Sequence, residues 1–300
     1  DNVIDMNRFP IPKITEMVTG NRKIGLGVMG WADMLIKLRI PYNSEEAIHL
    51  GEKLMCFINC EAKKTSHSLA LERGAFPNFK SSVYDDGRSE SLLRNATVTT
   101  IAPTGTISII GGCSSGIEPL FAISFLRKTP QFELLEVNPL FEEVARKEGF
   151  YTPELMMKIA RRGSIRDLEE VPEHIRKVFI TAMDLNADDH VKMQAAFQRH
   201  TDNAVSKTVN FPFTATVEEV TNVFLLAHHL GCKGITIYRD GSRDVQVLNV
   251  KREEHKEGHK SGLGNTASSS IPPTANSTPP QPEILRVGAE FSGGCAKCNI

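Results

Sequence analysis

Residues 96–112 read ATVTTIAPTGTISIIGG, and this stretch limits the folds open to the chain more than any other. Val98, Thr99, Thr100 and Ile101 are β-branched, which suits a pleated strand better than a helix. Pro103 interrupts the run because it has no N–H for a ladder, and Gly105 permits a tight turn. A strand is therefore predicted to enter a loop and then a helix. Strand-like segments recur at 121–129 (FAISFLRKT), 204–212 (AVSKTVNFP) and 234–240 (GITIYRD). Helical periodicity fills 138–149, 152–163, 172–184, 189–201 and 216–231. Short strands alternating with longer helices imply an α/β fold with at least partly parallel strands. Residues 22–75 also read as helical, with a start at Ser44 and a stop at Gly74.

The texture changes at Lys251. KREEHKEGHKSGLGNTASSSIPPTANSTPPQPE is charged and then rich in Ser, Thr, Asn and Pro, so it cannot bury enough apolar surface to offset chain entropy. Residues 251–290 are expected to be a disordered linker between a folded part, 1–250, and a tail, 291–300. That tail, FSGGCAKCNI, carries Cys295 and Cys298 as Cys-x-x-Cys. The pair fits a redox dithiol, the favoured reading, or half of a zinc site; His255 and His259 lie far back in the linker. A mobile dithiol exchanges electrons through access rather than burial.

The remaining composition excludes classes more than it selects one. A net charge of -1 over 300 residues gives no electrostatic bias toward nucleic acid or anionic membrane. No apolar run approaches the roughly 18–20 residues of a membrane span, and no signal peptide is evident, so a cytoplasmic location is expected. Six cysteines, at 56, 60, 113, 232, 295 and 298, are too few for a secreted disulfide scaffold. Cys56 and Cys60 share a helix face by spacing and are expected to pack inward, while Cys113 and Cys232 read as packing or loop cysteines. The segment GLGVMG, residues 25–30, matches a dinucleotide fingerprint, but no hydrophobic strand precedes it; glycines permitting close helix packing are the better account.

The loop of residues 102–108 is the strongest candidate site. Pro103, Thr104, Gly105, Thr106, Ile107 and Ser108 can offer backbone N–H groups, hydroxyls and the positive end of a helix to a phosphate, without the lysine of a Walker loop. A polar turn with no ligand is the competing reading of the same residues. No metal site is expected.

Four segments in order, NRKIGLGVMGWADML, RNATVTTIAPTGTISIIGGCSSGIEPLFA, HTDNAVSKTVNFP and GCKGITIYRDGSR, together resemble the carboxy-terminal half of a ribonucleotide reductase catalytic chain. The resemblance spans about Asp1 to Leu248 and implies the later part of a ten-stranded α/β barrel. It implies that Pro103 to Ile107 hold the substrate phosphate and that Cys295 and Cys298 re-reduce a barrel disulfide, with thioredoxin or glutaredoxin as electron donor. The substrate would be a ribonucleoside di- or triphosphate, and a homodimer of the parent chain is one arrangement the resemblance allows. The family's radical cysteine, in Asn-x-Cys-x-Glu, has no counterpart: Asn59-Cys60-Glu61 has the wrong spacing. That cysteine is expected upstream of Asp1, leaving these 300 residues inactive alone. Ile237-Tyr238-Arg239 carries one tyrosine where iron-dependent large subunits carry two, so the adenosylcobalamin-dependent class is implied. The alternatives are an iron-dependent large subunit, or a noncatalytic phosphate-binding module with a zinc-bearing tail.

Overall fold

A computed structural model describes residues 1–128 and 133–242. In chain order the helices and strands are α1 (Asn2–Met6), α2 (Pro12–Asn21), α3 (Trp31–Leu38), α4 (Glu45–Arg73), α5 (Gly105–Gly111), β1 (Ser124–Lys128), β2 (Glu133–Val137), α6 (Pro139–Lys147), α7 (Pro153–Arg162), α8 (Glu173–Val178), α9 (Ala187–Gln198), β3 (Thr208–Phe211), α10 (Val217–His229) and β4 (Thr236–Arg239). The linker and tail predicted from 251 onward lie outside the described residues.

Four extended segments lie side by side and parallel. Residues 24–28 meet 97–101 through Ile24 N to Thr97 O (3.0 Å), Leu26 N to Val98 O (2.8 Å) and Thr100 N to Leu26 O (3.0 Å). The second segment meets the chain leading into β3 through Asn203 N to Thr99 O (3.0 Å) and Ser206 N to Ile101 O (2.9 Å). Next, β3 pairs with β4, Thr208 opposite Thr236 through Phe211 opposite Arg239. Parallel neighbours need long crossovers, and the intervening helices provide them. The expected α/β class holds. A separate antiparallel hairpin, β1 with β2, joins Ser124 to Val137 in register. β2 escaped the sequence reading, which stopped at the strand before it.

The helical reading of 22–75 needs correction. Helices occupy 31–38 and 45–73, but residues 24–28 are extended in the parallel run. Gly25 and Gly27 of GLGVMG pack against that neighbouring strand rather than against a helix, and Gly30 faces Cys113. A Cβ on Gly27 would come within 2.1 Å of the Thr100 carbonyl oxygen, and one on Gly25 within 2.3 Å of Thr100 Cγ2. Only a residue without a side chain lets the two backbones approach so closely.

Capping sets the helix limits. Ser44 Oγ accepts the Ala47 N–H (3.1 Å) to begin α4, Glu45 and Glu46 complement its positive end, and Gly74 at φ +81° ends it. Buried Ala47, Gly51 and Met55 then form one stripe at four-residue spacing. It faces α9, where a Cβ on Gly51 would lie 2.7 Å from Phe197. Helix α9 is central: His190, Val191 and Met193 through Gln198 are all buried. Apolar clusters lie on its sides, with Trp31 edge-on to Phe197 (centroids 5.1 Å apart) in one and Val209, Phe211 and Val223 in another. A third unites Phe141, Met156, Ile159 and Phe179.

The cysteines of α4 depart from expectation. Cys60 is exposed and Cys56 half-buried, because the buried stripe of α4 runs through Met55 and not through them. Cys113 and Cys232 are half-buried, in a loop and beside the β3–α10 cluster respectively.

Gly27→Ala should lower unfolding stability by about 2–4 kcal/mol, because the new methyl meets a backbone carbonyl that cannot rotate away. Urea denaturation measures this; a loss under about 0.5 kcal/mol would show that the two segments are not held at this separation.

Candidate functional site

Parallel strands put their carboxyl ends on one side, where ligands commonly bind in α/β folds. Here that side carries the loop between Ile101 and α5. Thr104 is the residue before the helix and adopts φ +55°, a left-handed conformation that costs a β-branched side chain energy. Its side chain holds it there: Thr104 Oγ1 accepts the Gly116 N–H at 2.7 Å and lies 3.4 Å from Ser115 Oγ. Ser115 Oγ donates to Pro103 O at 2.6 Å. Gly116, at φ +46°, passes so close that a Cβ would sit 3.2 Å from Ala102 O.

This geometry leaves the first three N–H groups of α5, those of Gly105, Thr106 and Ile107, without intrahelical acceptors and at the same edge. Thr106 and Ile107 are exposed, Thr104 and Gly105 half-buried. The structure thus brings the six predicted residues together, with one change of role. Ser108 is buried and donates its hydroxyl to Gly105 O (3.0 Å), so it stiffens the turn and presents no free hydroxyl. Cys295 and Cys298 lie outside the described residues.

The sequence reading missed the residues behind the loop. Asp33 Oδ2 accepts the Ser114 N–H at 2.6 Å, tying residues 113–116 to α3; burial pushes its carboxyl pKa up while this bond opposes the shift. Tyr42 donates its hydroxyl to Ile117 O at 2.5 Å, and burial raises its pKa well above the ordinary value. Deeper still is Lys207, with a side chain that is 0% exposed. Its ammonium donates to Glu118 Oε2 (2.6 Å), His190 Nδ1 (2.8 Å) and Thr208 O (2.6 Å). Glu118 Oε1 accepts the Thr208 N–H at 2.7 Å. With Nδ1 accepting, His190 carries its proton on Nε2 and donates to Ala182 O (3.1 Å). Burial, and then the Lys207 charge, hold the His190 pKa well below the ordinary range. Burial also lowers the Lys207 pKa, and Glu118 counters it. A lysine within the apolar alternation AVSKTVNFP was the available signal.

A cavity of about 310 Å³ elsewhere is lined by Pro41, Arg166, Glu173, Arg176, Lys177 and Asp184 among others. Arg176 Nη1 donates to Arg166 O (2.9 Å) and Lys177 pairs with Glu173 (2.6 Å), while the buried Arg176 Nε has no hydrogen-bond partner among the described residues. Among the described residues no group of three or more His, Cys, Asp or Glu side chains could hold a metal ion, and no helix is long and apolar enough to cross a membrane.

A parallel α/β domain thus presents a strained, donor-bearing turn at its carboxyl edge, the side on which α/β folds commonly bind ligands. The chain belongs to the ribonucleotide reductase family: residues 1–238 match the model of the ribonucleotide reductase barrel domain. It is 52% identical over 258 residues to the vitamin B12-dependent ribonucleoside-diphosphate reductase of Thermoplasma acidophilum, covering 86% of this chain and 33% of the relative. The protein of the same name from Mycobacterium tuberculosis strain CDC 1551 / Oshkosh is 46% identical over 296 residues, 99% of this chain and 38% of the relative. The chain therefore spans little more than a third of these relatives. In fold it resembles the Actinobacillus ureae class Id ribonucleotide reductase alpha subunit, with a TM-score of 0.68 at 24% identity over 80% of this chain and 44% of that one.

His190 gives the site a pH signature. Its folded pKa lies below the unfolded value of about 6.5, so the unfolded chain gains a proton that the folded chain refuses as pH falls. Its stabilising contribution is complete above that pH and shrinks below it, by up to about 1.4 kcal/mol per pH unit for one proton. His190→Gln retains a donor and an acceptor without titrating, so urea unfolding compared at about pH 7.5 and about pH 5.5, on either side of the ordinary histidine range, should show a flatter acid limb than the parent. Equal slopes would contradict the buried neutral imidazole.

Proposed function

We propose that residues 103–108 hold the phosphate of a ribonucleoside diphosphate, within a reductase that converts ribonucleotides to 2′-deoxyribonucleotides by thiyl-radical chemistry. The observation carrying this reading is the left-handed Thr104, which is fixed by Gly116 and aims three unpaired N–H groups from the carboxyl edge of the ladder. A phosphate satisfies such donors better than water because its charge also meets the helix dipole. Gly105, Thr106 and Ile107 would donate from the backbone and Thr106 from its hydroxyl, orienting the sugar against the barrel.

The relatives' names support the diphosphate and the adenosylcobalamin-dependent class. That cofactor would supply the radical when bound. The loop's hydroxyls and amides fit a phosphate and do not compose a cobalamin pocket, so support for the cofactor comes from the relatives and from the single tyrosine of β4. Tyr238 lies in β4 between Ile237 and Arg239, so no second tyrosine adjoins it, which supports the cobalamin-dependent class.

In this reading residues 1–250 are part of the barrel domain, 251–290 the linker and 291–300 the redox tail. Reduction at the ribose takes two electrons from a cysteine pair, which becomes a disulfide. A Cys295 or Cys298 thiolate attacks that disulfide, and the second tail thiol resolves the mixed disulfide, leaving the tail oxidised and the barrel pair reduced. Thioredoxin or glutaredoxin then restores the tail, in the cytoplasm.

Thr106→Glu places a carboxylate at the start of α5, where it suits the dipole but repels a phosphate. Calorimetric titration with ADP should show affinity at least about tenfold weaker, a change of about 1.4 kcal/mol, at unchanged thermal stability. Unchanged affinity would contradict the phosphate assignment.

A further inference from the structure

We infer that Lys207 and His190 are positioning residues for the phosphate loop, acting through Glu118 although neither touches the ligand. The inference rests on the phosphate reading of residues 103–108. The turn 115–118, closed by Glu118 N to Ser115 O at 2.9 Å, has two ends. Its first end grips the loop: Ser115 Oγ holds Pro103 O, and the Gly116 N–H holds Thr104 Oγ1. Its last residue, Glu118, is gripped from behind by the Lys207 ammonium and the Thr208 N–H, one carboxylate oxygen to each. Three residues of chain therefore connect the strained Thr104 to a buried cation fixed between β3 and α9.

The arrangement is costly unless complete. A buried ammonium needs all of its donors met, and here Glu118, His190 and Thr208 O meet them. Removing the His190 acceptor leaves an unmet N–H on the ammonium, which must then shift or draw in water. Any such shift moves Glu118 and with it the turn that keeps Thr104 left-handed. Other cations do not substitute: among the described residues Glu118 forms its ion pair with Lys207. Apolar packing alone would not fix the turn in this way: Ile117 is fully buried, but a carboxylate gripped at both oxygens also fixes rotation.

The test compares variants of the 300-residue chain by amide hydrogen exchange at Gly116 and by affinity for inorganic pyrophosphate. His190→Leu and Lys207→Met should each speed Gly116 exchange and weaken pyrophosphate binding by about tenfold. His190→Gln, which can accept from Lys207 and donate to Ala182 O, should restore both. Phe141→Leu, in the cluster away from the loop, should lower the melting temperature without changing either. Parent-like exchange and affinity in His190→Leu and Lys207→Met, while Thr106→Glu still weakens binding, would overturn the positioning role and leave the phosphate reading standing. Loss of exchange protection and affinity in Phe141→Leu to the same degree would also overturn it. Failure of the parent chain to bind pyrophosphate, or indifference to Thr106→Glu, would overturn the phosphate reading and this inference with it.

Discussion

The ammonium of Lys207 is the point on which the site depends. It is enclosed between β3, α9 and the turn that follows α5, and each of its three acceptors comes from a different part of the chain. Such a group is strongly destabilising when a partner is missing and specific when all are present. Its effect is to turn an otherwise polar, irregular segment, 113–118, into a fixed support. The four parallel segments supply the frame, and the ammonium sets where the loop on that frame must lie.

From that constraint the rest follows in order. Glu118 fixes the turn, the turn fixes Gly116 and Ser115, and these hold Thr104 in a conformation it would avoid alone. Strain in one residue is thereby exchanged for three backbone donors facing one ligand. Asp33 and Tyr42 brace the same turn from α3 and from the segment between α3 and α4, so the loop is supported on several sides before any ligand arrives. Donors arranged in advance need little reorganisation when charge is bound.

Much of this was legible in residues 96–112, where β-branched residues, Pro103 and Gly105 announced a strand, a loop and a helix. Helices with clear caps, such as α4 after Ser44 and α7 after Thr152, were legible for the same local reason. The extended segment 24–28 was not, because its two glycines carry no β-propensity; they are there for close contact with Thr100, a tertiary fact. Nor could spacing place Cys56 and Cys60, since the face of α4 that is buried depends on where α9 lies. The Lys207 network joins residues 118, 190 and 207, and no local pattern joins positions so far apart.

Phosphate bound at the start of α5 would be read directly in the amides that hold it. Amide chemical shifts followed during titration of the isotopically labelled chain with ADP test for it. The account predicts that the N–H resonances of Gly105, Thr106 and Ile107 move together and saturate, with Gly116 following. Movement confined to the cavity around Arg166 and Arg176, or no movement at α5 while ADP binds, would contradict it.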